Sequence, residues 1–196
     1  MKRVLLLIPT GVEVYEMAAF YDVLGWASHY GTEPIEVVAA GLSDETRCTF
    51  GLRVKTDCLV SEVAANDFDA LALPGGFEDF GFYDDAYSEA ILEVIRDFER
   101  HDRLIASICV GALPIAQSGV LQGRCATTYH LSKGKRRDQL AAMGVTVKDE
   151  RIVEDGKVVT STGPATAIDV ALRLLAALTD QSNADRIAHL MGFGEG

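Results

Sequence analysis

Short apolar runs alternate with helix-like patterns along the whole 196-residue chain, and this alternation constrains the fold more than any other feature. The runs RVLLLI, ALAL and LIAS are continuously apolar or nearly so, which is typical of strands buried on both faces. Segments between them, such as SEAILEVIRDF, have the apolar spacing of an amphipathic helix. The pattern predicts an α/β fold over residues 1–196 as one domain, with a mostly parallel sheet and helices on both faces.

Two segments instead predict antiparallel hairpins, one around Gly51 and one around Asp155-Gly156. In open α/β sheets, ligands bind beyond the carboxyl ends of the strands, at a switch point in strand order. This rule predicts a site formed by three loops: residues 9–16, residues 74–77 and the turn that holds Cys109.

The formal net charge of −11 argues against a nucleic-acid partner, because binding to phosphates requires clustered Lys and Arg. The one basic cluster, KGKRR at 133–137, is interpreted as a solvated helix start rather than an anion site. No apolar stretch has the length needed to span a bilayer, and the run at 4–8 is too short for a signal peptide. We therefore expect a cytoplasmic protein that acts on a small molecule, without a membrane partner.

The four cysteines form no CxxC pair and have no His-x-x-x-His companion, so a zinc site is not predicted and reduced thiols are expected. Cys48, Cys58 and Cys125 are interpreted as small core residues because none of them opens a helix. Cys109 differs, since it lies where a buried strand gives way to a helix-like segment. Local sequence leaves four roles open for it: core residue, metal ligand, half of a disulfide or nucleophile.

The segment around Cys109 has part of the nucleophile-elbow pattern, G-x-nucleophile-x-G, in which the nucleophile occupies a strained strand-to-helix turn. Gly111 fits this pattern, whereas Ser107 replaces the first glycine. Amides at a helix start stabilise a thiolate, so a lowered thiol pKa is predicted. The amides of Val110 and Gly76 are candidate donors to an oxyanion.

Five stretches of the chain, taken together and in order, resemble the ThiJ/PfpI family; they are GVEVYE, ALPGG, ASICVGA, ATTYH and TSTGPATAIDVAL. The resemblance implies the flavodoxin-like three-layer sandwich of the class I glutamine amidotransferase superfamily. It also implies a homodimer, for which we expect contacts through the first helix and the segment at 48–54.

The same resemblance implies roles for individual residues. Cys109 corresponds to the family's reactive cysteine and Glu16 to its partner acid, while Gly76 and Val110, with the adjacent Gly75, correspond to the oxyanion and binding region. An ionised carboxylate would disfavour a thiolate. Glu16 is therefore predicted to be protonated, with a raised pKa, and to titrate together with the thiol. Glu13, in the same loop, is interpreted as a surface residue.

Departures from the family pattern narrow the choice of function. PfpI-type proteases have a histidine after the nucleophile, where this chain has Val110, and the segment TSTGPATAID lacks the histidine of the amidotransferases. His130 is then the candidate catalytic base, and either it or Tyr129 is expected to line the pocket.

The resemblance implies a glyoxalase or deglycase that acts on small reactive carbonyls without a metal or organic cofactor. The alternative is a redox sensor that responds through oxidation of Cys109. A peptidase or amidase, or an isonitrile hydratase-like enzyme, ranks below both.

Overall fold

A computed structural model describes residues 1–193, apart from the side chain of Ser132. Over these residues the strands are β1 Lys2–Leu7, β2 Ile35–Gly41, β3 Glu45–Arg47, β4 Arg53–Lys55, β5 Cys58–Leu59, β6 Ala70–Leu73, β7 Leu104–Ser107, β8 Cys125–Ala126, β9 Thr146–Val147, β10 Ile152–Asp155 and β11 Val158–Ser161. The helices are α1 Val14–Tyr30, α2 Phe82–Ala86, α3 Glu89–Arg100, α4 Ala112–Gln117, α5 Lys135–Ala142, α6 Ala167–Leu178 and α7 Gln181–Leu190. Within 1–193, none of the helices is long and apolar enough to cross a membrane.

Seven strands form the main sheet, in the order β10-β11-β7-β6-β1-β2-β5. All neighbouring pairs are parallel except β10 with β11, which form the antiparallel hairpin predicted around Asp155-Gly156. The hairpin predicted around Gly51 is also present, as β3 and β4. The predicted α/β sandwich is therefore confirmed, with one antiparallel strand at the edge of the sheet.

The central strands are buried on both faces, as their continuous apolar sequences predict. In β1, Leu5 and Leu7 face one core, and Val4 and Leu6 face the other. The first core contains the apolar residues of α2, α3 and α4, while the second contains those of α1, α6 and α7. Helices thus cover both faces, and the apolar side chains of β1 at 4–7, of β6 and of β7 after the partly buried Leu104 are removed from water, the main source of stability in such a core.

The strand order creates a switch point at β1. From β1 the chain adds β2 and β5 on one side, and then returns to add β6, β7 and β11 on the other. The crossovers leaving β1 and β6 therefore diverge and open a crevice above the carboxyl ends of these two strands. The three loops expected to form the site all start at this end of the sheet, after β1, β6 and β7.

Two elements differ from the prediction. The segment 82–86 forms a short helix, α2, that the periodicity did not indicate. The segment CATTYH at 125–130 predicts a further short strand, but only the two residues of β8 form one, and they pair with β9 in a separate two-stranded sheet. Such short elements depend on contacts with the rest of the fold, and a window of sequence contains little information about those contacts.

Candidate active site

The loops that follow β1 and β6 are held together by backbone hydrogen bonds. Val12 and Gly76 form an isolated antiparallel bridge. On one side of this bridge the Glu13 amide donates to the Gly75 carbonyl at 2.8 Å, and on the other side the Phe77 amide donates to the Gly11 carbonyl at 3.0 Å. The bridge fixes the first turn of α1 against the glycine pair.

Cys109 occupies a strained turn at the end of β7, as the elbow pattern predicts. Its φ is +56°, in the left-handed region that costs a residue other than glycine about 1–3 kcal/mol. Gly111 allows this turn to pack closely, because a Cβ there would lie 2.5 Å from the Leu73 carbonyl oxygen. The hydroxyl of Thr128 donates to the Cys109 carbonyl at 2.8 Å and ties the turn to the segment after β8.

Glu16 lies in the first turn of α1, and its side chain is fully buried. Its Oε2 accepts a hydrogen bond from the Gly75 amide at 2.7 Å, whereas its Oε1 is buried without a hydrogen-bond partner. A Cβ added to Gly75 would lie 2.9 Å from Glu16 Oε2 and 3.0 Å from the Cβ of Cys109. The absence of a side chain at Gly75 therefore lets the carboxyl and the thiol approach each other.

Burial dominates the electrostatics of this pair. It raises the pKa of Glu16 to about 8; the charge of Glu13 adds to this increase, while hydrogen bonds with the Gly75 amide and the Cys109 side chain oppose it. The predicted protonated Glu16 is thus the favoured form at neutral pH. The predicted lowering of the Cys109 pKa is wrong: burial and the Glu16 charge raise it, and the Val110 amide offsets only part of that increase. At neutral pH the resting pair is a neutral acid beside a neutral thiol.

A cavity of about 630 Å³ opens above the pair. Five of the residues predicted for the site line it: Glu16, Gly76, Cys109, Val110 and Tyr129. Its other lining residues are Glu13, Phe77, Glu78, Asp79, Leu131, Lys135, Arg136, Pro164 and Ala165. A small molecule that enters this space reaches the sulfur directly.

The remaining predicted residues lie elsewhere or have other partners. His130 is exposed outside the cavity, so of the two neighbours it is Tyr129 that reaches the site. Among the described residues, no histidine lines the cavity, and a histidine base for the thiol is not present there. Gly75 already donates its amide to Glu16, whereas the Gly76 amide makes no hydrogen bond to any other described residue. Gly76 therefore remains the better oxyanion donor.

Three residues of the cavity wall, Glu13, Lys135 and Arg136, were not predicted from the sequence. Glu13, interpreted as a surface residue, is only partly exposed and lines the cavity, and burial raises its pKa. Lys135 and Arg136, interpreted as a solvated helix start, both pair with Glu78, at 3.1 and 2.7 Å. These pairs join α5 to the loop after β6, and nothing in the local sequence indicates a contact over that separation.

A second cavity of the described structure contains no nucleophilic cysteine. This space of about 640 Å³ lies beside α6, and its lining has no histidine either. The four thiols are free. Among residues 1–193, no group of three His, Cys, Asp or Glu side chains is arranged to hold a metal ion.

The family model described as the DJ-1/PfpI family matches residues 2–177, the greater part of the chain and all three loops of the site. The chain belongs to the DJ-1/PfpI family. The resemblance inferred from the five short stretches is thereby confirmed.

Relatives within the DJ-1/PfpI family extend over nearly the whole chain. Drosophila melanogaster dj-1beta is 30% identical over 189 residues, which cover 95% of each chain. Its crystal structure superimposes with a TM-score of 0.86 over 99% of both chains. The structure of Toxoplasma gondii DJ-1 in an oxidized form is 29% identical, with a TM-score of 0.82 over the full length of both chains. A Caenorhabditis elegans relative named glutathione-independent glyoxalase DJR-1.2 is 28% identical over 175 residues, 89% of this chain and 87% of its own.

Proposed function

We propose that this DJ-1/PfpI protein converts α-oxoaldehydes such as methylglyoxal, and their early adducts on amines and thiols, to hydroxy acids without a cofactor. One observation carries the proposal. A carboxyl that keeps its proton at neutral pH is buried next to a cysteine on a strained turn, at the base of a cavity that admits a small molecule. The relative named as a glyoxalase supports the same choice of substrate.

The reactive form is the pair after loss of one proton. This proton leaves with an apparent pKa of about 8, and the one that remains is shared between Glu16 and Cys109. When it resides on the carboxyl, the sulfur is a thiolate beside a proton donor. Cys109 Sγ then attacks the aldehyde carbon while the carbonyl oxygen takes the proton from Glu16. The product is a hemithioacetal next to a carboxylate.

The carboxylate created in the first step serves as the base for the second. Glu16 removes the proton from the former aldehyde carbon and delivers it to the neighbouring carbonyl carbon, and the hydroxyl proton moves to the second oxygen. The first carbon is oxidised and the second is reduced, so no external electron acceptor is needed. In this proposal the amides of Gly76 and Val110, two residues that line the cavity, stabilise the negative oxygen that forms between the two steps.

The second step leaves a thioester of the hydroxy acid on Cys109. Water adds to its carbonyl carbon, the carbon–sulfur bond breaks, and the hydroxy acid is released with the thiolate restored. Because only the singly ionised pair reacts, kcat/KM is expected to rise tenfold per pH unit below about pH 8 and to level off above it.

Turnover of methylglyoxal by the purified protein, in the absence of glutathione, tests the proposal. Cys109→Ser and Glu16→Gln are each expected to lose activity by about 100-fold or more. Cys125→Ser is a matched control, since that thiol lies outside the cavity. Full activity in Cys109→Ser would overturn the proposal.

A second function, redox sensing through Cys109, is favoured by the free Oε1 of Glu16. A protonated carboxyl can donate a hydrogen bond to a sulfinate, which stabilises this oxidation state relative to further oxidation. The oxidized form of the Toxoplasma gondii relative agrees with this possibility. Peroxide treatment followed by mass spectrometry distinguishes the two functions: two oxygens added at Cys109 of a protein without turnover would favour the sensor.

We also propose that the protein forms a homodimer through the hairpin of β3 and β4. Phe50 is 76% exposed at the tip of this hairpin, and its ring centroid lies 5.8 Å from that of Phe77 and 5.6 Å from that of Phe80. Three aromatic rings grouped at the surface are typical of a contact with another protein.

A further inference from the structure

The wall of the cavity contains a second carboxyl, the partly buried Glu13, that the mechanism above does not use. Glu13 lines the same cavity as Glu16 and Cys109, and its backbone is fixed by the 2.8 Å hydrogen bond from its amide to Gly75. Gly75 in turn donates to Glu16, so one glycine positions both acids. Glu13 is the residue that precedes α1; no hydrogen bond of standard geometry joins its side chain to the helix start, although the Tyr15 amide in the first turn is near enough to lower its pKa.

The two acids differ in their access to water. Glu16 has no exposed surface, one of its oxygens is bonded to Gly75, and the other is buried. Glu13 is partly exposed at the wall of the cavity. When neighbouring carboxyls lie in different environments, the more buried one keeps its proton and the better solvated one serves as the base.

We propose that Glu13 is the general base for the hydrolytic step, in which it activates the water that attacks the thioester on Cys109. This inference rests on the proposed function. Glu13 takes a proton from water as the oxygen adds to the acyl carbon and the carbon–sulfur bond breaks. The new carboxyl group returns one proton to Glu16, and Glu13 releases the other to solvent.

Partial burial makes Glu13 a stronger base than a surface carboxylate, because it raises the pKa, an effect that the Tyr15 amide opposes. The other charged or titratable groups of the cavity wall are Glu78, Asp79, Tyr129, Lys135 and Arg136. Glu78 is already paired with both of the cations. Asp84, in α2, is exposed and lies outside the cavity lining, so it provides a control for the loss of one negative charge.

Deacylation can be measured directly and without the proposed substrate. Cys109 is acetylated with p-nitrophenyl acetate, and loss of the acetyl group is followed by intact mass, with peptide mapping to confirm its position. Glu13→Gln is expected to slow deacylation by about 100-fold, whereas Asp84→Asn, outside the cavity, should leave it within about twofold of the wild type. Glu13→Asp, which keeps a carboxylate, should recover part of the rate.

Two further measurements separate a failure of this inference from a failure of the proposed function. With methylglyoxal, Glu13→Gln should accumulate the hydroxyacyl thioester. Alkylation of its Cys109 by iodoacetamide should be at least as fast as in the wild type, because the lost Glu13 charge is one of the causes that raise the thiol pKa, and this shows that the site is folded. Deacylation of Glu13→Gln at the wild-type rate would overturn the inference, whether or not methylglyoxal is a substrate. Absence of methylglyoxal turnover in the wild type, with slow deacylation only in Glu13→Gln, would overturn the proposed function alone.

Discussion

Replacement of Glu16 by Gln should change how the stability of the protein depends on pH. Glutamine has nearly the same shape, and its carbonyl oxygen can still accept the hydrogen bond from the Gly75 amide. It cannot ionise, however. The difference in free energy of unfolding between the wild type and this variant therefore isolates the effect of burying a titratable carboxyl.

The sign of the effect follows from proton binding. The pKa of Glu16 is about 8 in the folded state, against 4.5 for a solvated glutamate, so between these pH values the folded state holds more protons than the unfolded one. Stability then falls as pH rises through this window. The slope is about 1.4 kcal/mol per pH unit, and the full difference is about 5 kcal/mol. Cys109 does not contribute below pH 8, because its thiol stays protonated in both states.

Urea unfolding followed by circular dichroism at pH 5, 6, 7 and 8, under reducing conditions, measures this difference. We expect the wild type to lose stability relative to Glu16→Gln at each step, by several kcal/mol in total. Asp79→Asn, at an exposed carboxyl, should show no such trend. The difference in free energy of unfolding between the wild type and Glu16→Gln is the quantity to compare across this pH range. If it varies by less than about 0.5 kcal/mol, the assignment of a protonated Glu16 is refuted.

Four other substitutions, one of them a control, test the site and the proposed dimer interface. Gly75→Ala should abolish reaction of the Cys109 thiol with iodoacetamide or change its rate at least tenfold, because the new methyl group would clash with the side chains of Glu16 and Cys109. Gly25→Ala, where a Cβ meets nothing within 4 Å, should leave that rate unchanged and stabilise α1 by up to about 1 kcal/mol in urea unfolding. Thr128→Val removes the hydroxyl that donates to the Cys109 carbonyl, and should cost about 1–2 kcal/mol of stability and slow alkylation. Phe50→Ser should shift the molar mass in light scattering from dimer to monomer, whereas an unchanged mass would exclude this hairpin from the interface.

The placement of Cys109 could be predicted from sequence because it depends on local features. A continuous apolar run ends just before it and a glycine follows two residues later, so the strand, the turn and the helix are all specified within a few residues. The protonated state of Glu16 was also predicted, once the family resemblance placed this residue beside Cys109, but its main cause is different: burial raises the pKa of Glu16 beside a thiol that is itself neutral.

The thiol pKa and the identity of the cavity wall were not predictable in this way. A pKa depends on everything that surrounds a group, and the helix start that was expected to lower the pKa of Cys109 is outweighed by burial from several distant elements. Glu13 enters the cavity because its loop is bridged to a glycine pair more than 60 positions away in the chain. Tyr129 and His130 are adjacent in sequence and face different surroundings, and only the packing of their segment decides which one reaches the site.

The sequence by itself determined the layered α/β architecture and the turn that carries the sulfur, because apolar periodicity and glycine placement act over short distances along the chain. Tertiary structure alone decided which acids and cations surround that sulfur, how far water reaches them, and hence which proton each can hold. Those properties arise from contacts between segments that are remote in the chain, where burial and charge combine in a way that no local pattern encodes.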